Sequence, residues 1–183
     1  MNNIEQNKKT FTIPFAITLI FSILLVVCLF LPYSTATESY AELLNSYSDT
    51  VIYEEIDMNA KDVVNVSLFE YYKIYTNVGA EFFGSATFAS FYAGLIVVIG
   101  AFSLLTLLFS VLKKSIPTIV FSVLSFATFY IQCWDYSDRG VVPSENYDLG
   151  IGCYLFYIAS IAVLVGAIWL LICKKNEKKA SQE

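Results

Sequence analysis

Several kinds of chemically active residue are rare or missing in this sequence. It contains no histidine, and charged residues make up only 15% of the chain. Histidine is the commonest general base and a frequent metal ligand near neutral pH. The sequence also has no glycine-rich phosphate loop, no nucleophile elbow, no C-x-x-C pair, no zinc-type cysteine spacing and no basic nucleic-acid patch. We therefore expect no enzymatic activity, metal centre or cofactor, and no binding of nucleic acid.

Hydrophobic residues make up 57% of the chain and are concentrated in long runs. A bilayer core about 30 Å thick needs roughly 20 apolar residues in a helix. Four runs without a charged residue meet that requirement, namely 13–31, 82–112, 115–134 and 149–173. The sequence thus predicts an all-α membrane protein, built as a four-helix transmembrane bundle.

The charges outside these runs divide unevenly. Segments 1–12, 113–114 and 174–183 together hold 8 basic and 3 acidic residues. Segment 32–81 holds 9 acidic and 2 basic residues, and segment 135–148 holds 4 acidic and 1 basic residue. Lys and Arg near span ends are retained on the cytoplasmic side. We predict a multi-pass protein of the cell membrane with both termini and the 113–114 turn in the cytoplasm.

The first apolar run has a second interpretation. Lys8 and Lys9 precede it and Ser34-Thr35-Ala36 follow it, as in a cleaved signal peptide. The apolar core of a signal peptide usually has about 7–15 residues. Run 13–31 is longer, which favours a retained helix.

Segment 32–81 is the larger of the two outer segments and predicts a small extracytoplasmic cap. Residues 51–56 and 63–68 are β-prone and flank turn-forming residues at 57–60, which favours a β-hairpin. Residues 39–46 are compatible with a short helix. Leu68, Phe69, Tyr72 and Tyr75 recur near helical spacing and are compatible with a short amphipathic helix at the membrane surface. The favoured alternative is that these side chains cover the outer ends of the bundle.

Small residues at four-residue steps let transmembrane helices approach closely. The second run carries such a series, and the fourth run carries a similar one. The candidate packing residues are Ala86, Ser90 and Gly94, with Ala159, Ala162 and Gly166. We expect the second and fourth spans to pack through them.

One face of the third run is polar. Thr118, Ser122, Ser125 and Gln132 are spaced by 4, 3 and 7 residues and share a helical face. Such residues serve either as interhelical hydrogen-bonding groups or as the lining of a polar pathway. No ionisable Asp, Glu, Lys, Arg or His lies within any run, which favours hydrogen bonding, since ionisable groups usually mark ion and proton routes.

Two cysteines flank the second outer segment at similar predicted depth. Cys133 and Cys153 lie at the ends of the third and fourth runs on the oxidising side. They are candidates for a disulfide bond. The alternative is two packed free thiols.

Acidic residues crowd both outer segments and form a candidate interaction surface. They are Glu54, Glu55, Asp57 and Asp62 in the cap, and Asp135, Asp138, Glu145 and Asp148 in the second segment. Such a field attracts cations or a basic protein surface and weakens as salt rises. The alternative is that these residues only keep the outer face solvated.

The layout of a larger first and a smaller second outer segment resembles that of claudins and related tetraspan proteins. The resemblance covers topology alone. The claudin first loop carries a tryptophan motif and a cysteine pair, and segment 32–81 has neither. No function is carried over from it.

The expected function is non-enzymatic: a scaffold, an accessory subunit or a surface-interaction protein in the lipid bilayer. Its expected partners are another membrane or surface protein, or cations at the outer face. The alternative function is a channel or transporter component with a cation-attracting mouth.

Overall fold

The structure is a computed structural model that describes residues 3–180, with the side chains of 12–179. It has four helices long and apolar enough to cross a membrane, as the sequence predicts. They are α1 (Asn3–Val27), α5 (Ala86–Val111), α6 (Ser115–Asp138) and α7 (Ile151–Ala180). A 3₁₀ turn at Cys28–Phe30 continues α1. Residues 1, 2 and 181–183 of the predicted terminal segments lie outside the described residues.

The four long helices form a ring in the order α1, α5, α6, α7. Helix α7 packs against α1 and α6, so α5 and α7 lie across the bundle from each other. A Cβ at Gly166 would lie 2.6 Å from Thr18 Oγ1, and this close approach joins α7 to α1. The second and fourth spans were expected to pack against each other through small residues. The fourth span instead packs in this way against the first.

The predicted packing residues are divided between buried and exposed positions. Ala159 and Gly166 are buried and Ala162 is half-buried, whereas Ala86 and Ser90 are exposed and Gly94 faces open space. In the first half of α5 the buried small residues are Ala89 and Ala93.

The remaining elements form a cap over one end of the bundle, hereafter the cap end. They are β1 (Pro32–Ala36), α2 (Glu38–Ser46), β2 (Val51–Tyr53), β3 (Met58–Asn59), β4 (Asn65–Ser67), α3 (Leu68–Asn77), α4 (Gly79–Phe83) and β5 (Tyr147–Leu149). Strand β1 is the centre of an antiparallel sheet ordered β4-β1-β5. This sheet joins the first connecting segment to the second.

A hairpin forms near the predicted place, but its second strand is not the one that the sequence predicts. Strand β2 pairs with β3, through Val51 with Asn59. Residues 63–68 were expected to form the second arm of the hairpin. Strand β4 lies within them and pairs instead with β1, through Thr35 with Asn65. In the β1–β4 pair, Ser34 lies opposite Val66 and both residues are buried. Burial against the rest of the protein therefore determines which strand β4 pairs with, rather than local strand propensity.

The helix expected near residues 68–75 is present as α3, and Ser67 fixes where it begins. The Glu70 amide donates to Ser67 Oγ at 3.2 Å, and the Ser67 amide donates to the Glu70 carboxylate at 2.6 Å. This reciprocal pair is a capping box. Helix α3 buries Leu68, Tyr71, Ile74 and Tyr75 over the cap end of the bundle.

Candidate functional site

The core of the bundle is lined by polar side chains of α6. Its buried residues recur at alternating steps of three and four, which is the spacing of one helical face. They are Ser115, Thr118, Ser122, Ser125, Phe129, Gln132 and Tyr136. The opposite side of α6 exposes apolar residues such as Ile116, Val120 and Val123. A polar interior with an apolar exterior is the pattern expected of a helix in lipid.

Two hydrogen bonds between helices cross this core. Ser22 of α1 and Ser110 of α5 have their hydroxyl oxygens 2.8 Å apart. Ser103 of α5 and Ser125 of α6 have theirs 2.9 Å apart. These contacts agree with the interhelical hydrogen-bonding interpretation of the polar residues. Their α5 partners were missed in the sequence, although Ser103, Thr106 and Ser110 are spaced by three and four residues and share one helical face.

Other buried polar groups of α6 have no protein partner within the described residues. They include the hydroxyls of Ser115 and Ser122 and both amide atoms of Gln132. A buried polar group without a hydrogen bond costs about 1–3 kcal/mol. These groups therefore retain the capacity to bind water or another ligand.

Aromatic side chains fill the core at the cap end. The rings of Phe129 and Phe156 stack with their centroids 3.9 Å apart. Tyr33, which is buried, packs edge-on against Phe129 and Tyr136 at 6.0 and 5.4 Å. The polar residues nearer the other end of the bundle are thus separated from the cap by packed rings.

Arg139 anchors the second connecting segment to this aromatic cluster. Its Nε donates to the Asp135 carboxylate at 2.9 Å, one helical turn earlier. Its guanidinium lies 4.0 Å from the ring centroid of Tyr92 and 5.3 Å from that of Phe83. Asp135 is therefore held in an ion pair, which reduces its contribution to the predicted acidic surface.

The other predicted acidic residues lie on two separate parts of the cap. Glu54, Glu55 and Asp57 are exposed around the β2–β3 hairpin, and the half-buried Asp62 accepts the Asn59 amide at 2.9 Å. Asp138, Glu145 and Asp148 are exposed on the second segment. Among the described side chains, no three His, Cys, Asp or Glu residues are placed to hold a metal ion.

An exposed apolar patch adjoins the first acidic group. It consists of Leu43, Tyr47, Val51 and Ile52, whose exposures range from 44% to 62%. These residues lie on neighbouring elements because α2 turns directly into β2, with the Thr50 amide donating to the Tyr47 carbonyl at 2.8 Å. We name this surface, together with Glu54 and Glu55, the distal cap face. In the sequence these apolar residues are typical of strands and helices, and no pattern there predicts their exposure.

No known protein family, curated protein or solved structure matches this chain.

The predicted disulfide pair is brought together by α6 and α7. The Cys133 thiol lies beside the Cys153 thiol and the Tyr157 hydroxyl. Cys153 is buried and Cys133 is half-buried, and both are free thiols in the structure. Their proximity satisfies one requirement for a disulfide, and the bond itself stays a prediction.

Proposed function

We propose that this chain is a multi-pass protein of the cell membrane that uses its cap to bind another protein, as a scaffold or accessory subunit. Four apolar helices with polar side chains turned inwards support insertion. The basic residues at the turn and tail, opposite the acidic cap, support an orientation with both termini in the cytoplasm.

The distal cap face is the observation that carries this proposal. Large apolar side chains such as Tyr47 and Ile52 are exposed on the cap, where the proposed topology places water rather than lipid. Contiguous exposed apolar residues with a polar rim are typical of protein-binding surfaces. The adjoining carboxylates of Glu54 and Glu55 favour a partner with an apolar centre and basic neighbours.

Site-specific photo-cross-linking in cells tests the proposal. A photoreactive amino acid at Ile52 should give a discrete adduct with a second protein. The matched position is Ile168, which is exposed on the apolar exterior of α7 and should give no such adduct. Adducts from Ile52 only to lipid or to other copies of this chain would contradict a heterologous partner.

Charge removal tests the same contact without altering the apolar patch. The E54Q/E55Q/D57N variant removes three exposed carboxylates, and Asn tolerates the left-handed backbone at Asp57, where φ is 51°. Partner affinity at low salt should fall about tenfold if each charge contributes up to about 0.5 kcal/mol. Identical affinities at low salt would show that these charges only solvate the cap. Asp62 stays unchanged because it holds the Asn59 amide.

The alternative function, a channel or transporter component, receives less support. Phe129, Phe156 and Tyr33 pack tightly in the core at the cap end. Recordings from bilayers containing the purified protein should show no conductance above that of protein-free bilayers.

A further inference from the structure

An apolar groove lies where α3 packs against α5, beside the 3₁₀ turn that continues α1. Its volume is about 180 Å³, and its walls include Leu29, Phe30, Phe69, Tyr72, Val97 and Gly100. None of the described residues in these walls is charged. Pockets for drug-sized ligands typically have about 300–1,000 Å³. The smaller groove therefore suits a narrow apolar chain.

Gly100 leaves space in one wall of this groove. A Cβ at Gly100 would lie 3.6 Å from Leu29 Cδ1, which is an ordinary van der Waals contact. A longer apolar side chain at this position would extend into the groove. The groove can therefore be filled by a substitution that creates no backbone collision.

The proposed orientation places the groove in the outer half of the membrane. Gly100 precedes the cytoplasmic turn at Lys113 by 13 residues, which corresponds to about 20 Å along a helix. The apolar core of a bilayer is about 30 Å thick. Phe30 and Val97 are 59% and 54% exposed, so two walls of the groove face the lipid.

Lys73 lies beside another wall of the groove. Its ammonium is 5.2 Å from the ring centroid of Phe69, one helical turn earlier on α3. The side chain is exposed and forms no ion pair with any described residue. A cation in this position can bind the phosphate of a lipid whose acyl chain enters the groove.

Lys73 also lines a polar pocket of about 150 Å³, together with the carboxylates of Asp57, Asp62 and Glu70. Asp62 and Glu70 accept hydrogen bonds from backbone amides, and Asp57 is exposed. Three carboxylates and one ammonium leave an excess of negative charge beside the groove. This excess disfavours an anionic headgroup and favours one that carries a cation besides its phosphate.

We propose that the groove binds one acyl chain of a zwitterionic phospholipid, phosphatidylethanolamine. Lys73 contacts the phosphate, and the headgroup ammonium lies towards the carboxylates of the polar pocket. A transmembrane helix of a partner, with a diameter of about 10–12 Å, is too wide for a groove of this volume. The inference rests on the proposed insertion of the chain in the membrane.

Native mass spectrometry of the full chain in detergent tests the groove, with phosphatidylethanolamine as the probe and phosphatidylglycerol as its anionic comparison. Phosphatidylethanolamine should bind more tightly. G100L fills the groove and should weaken that binding about tenfold, which corresponds to about two methylene groups returned to solvent. G94L is the matched control, because Gly94 also lies in α5 but faces open space, and it should change the affinity less than twofold.

A second pair of variants leaves the buried residues unchanged. V97W places a large ring at the exposed wall of the groove and should also weaken binding about tenfold. Val98 is the next residue, is also exposed, and lies outside the groove. V98W should therefore keep the affinity of the parent protein.

The headgroup contact has its own pair of variants. K73Q should weaken binding about fivefold, as expected for one lysine beside a lipid phosphate. Lys61 is another lysine of the cap and lines neither pocket. K61Q should change the affinity less than twofold.

Parent-like affinity in both G100L and V97W would overturn the groove as the binding site. Equal losses in K73Q and K61Q would replace the phosphate contact with diffuse attraction, and tighter binding of phosphatidylglycerol would contradict a zwitterionic headgroup. Displacement of the probe by equimolar oleic acid would overturn the choice of a phospholipid. None of these variants alters the distal cap face, so cross-linking from Ile52 can fail or succeed separately.

Discussion

The amide of Gly150 donates to the carbonyl oxygen of Tyr33 at 2.7 Å. This bond holds the start of α7 against β1, where the first connecting segment leaves the bundle. A Cβ at Gly150 would collide with the carbonyl oxygen of Pro32, and one at Gly152 would lie 2.8 Å from the same atom. The two connecting segments therefore meet through backbone, at positions where only glycine fits.

Replacement of Gly150 by alanine should destabilise the protein. The added methyl group meets backbone atoms that cannot move independently, so we expect a loss of about 1–3 kcal/mol. G94A is the matched control, because Gly94 lies in α5 with open space at its Cβ position. It should be neutral or stabilising by up to about 1 kcal/mol. Thermal unfolding in detergent measures both, and equal melting temperatures would contradict the close approach.

Loss of the Arg139 charge should loosen the cap. R139M keeps an apolar chain against Tyr92 but leaves the Asp135 carboxylate unpaired, and we expect a loss of about 1.5–3 kcal/mol. D135N should restore part of this loss when combined with R139M. The exposed Asp138 on the same helix provides the control D138N, with an expected change within about 0.5 kcal/mol. Additive effects of R139M and D135N in the double-mutant cycle would show that the ion pair does not couple them.

Stability should fall in alkaline solution partly because of Tyr71. Burial, partly offset by a hydrogen bond of 2.9 Å to Ser34, raises the pKa of Tyr71 above its ordinary value of 10.0. The unfolded chain then loses this proton at lower pH than the folded chain does. The folding free energy contributed by the neutral phenol is therefore present below about pH 10 and is lost as pH rises further.

Y71F should accordingly be less stable than the parent protein near neutral pH and should lose less additional stability above about pH 10. The exposed Tyr47 offers the control Y47F. Denaturant unfolding across this pH range measures the slopes. Parallel slopes for the parent and Y71F would contradict the assigned burial effect.

Oxidation should join Cys133 and Cys153. Their thiols lie within reach of each other, and removal of two hydrogens by copper-phenanthroline and oxygen would form the disulfide. Closing the loop between them would stabilise the fold by about 3 kcal/mol by chain-entropy reasoning. Intact mass after alkylation of the unfolded protein, with and without reductant, measures the bond. Alkylation of both thiols after oxidation would rule the bond out, and C133S provides the unpaired control.

The transmembrane helices were predictable because their signal is local. Length and apolar content within one run suffice to identify α5, and the charged pair at Lys113 and Lys114 marks where it ends. The pairing of β4 with β1 was not predictable in the same way. It joins residues far apart in sequence, and nothing in run 13–31 or after it indicates that a strand begins at Pro32.

The residues of the candidate site also divide into those with a local sequence signal and those placed by contacts between distant parts of the chain. The polar face of α6 was visible as a spacing of Ser122, Ser125 and Gln132. The ion pair of Asp135 with Arg139 also has helical spacing, but the apolar run ends at Trp134, so the sequence predicts both residues in the second outer segment rather than in a helix. Exposure of the distal cap face depends on how α2 and β2 pack, and sequence periodicity carries no information about that packing.

In the proposed orientation the cap lies outside the cell and the turn at Lys113 lies in the cytoplasm. Cysteine accessibility in intact cells tests this orientation. E54C and K113C are placed separately in a background lacking the four native cysteines and treated with a membrane-impermeant maleimide. In the proposed orientation E54C reacts in intact cells, whereas K113C reacts only after the membrane is permeabilised. Labelling of K113C but not E54C in intact cells would contradict it.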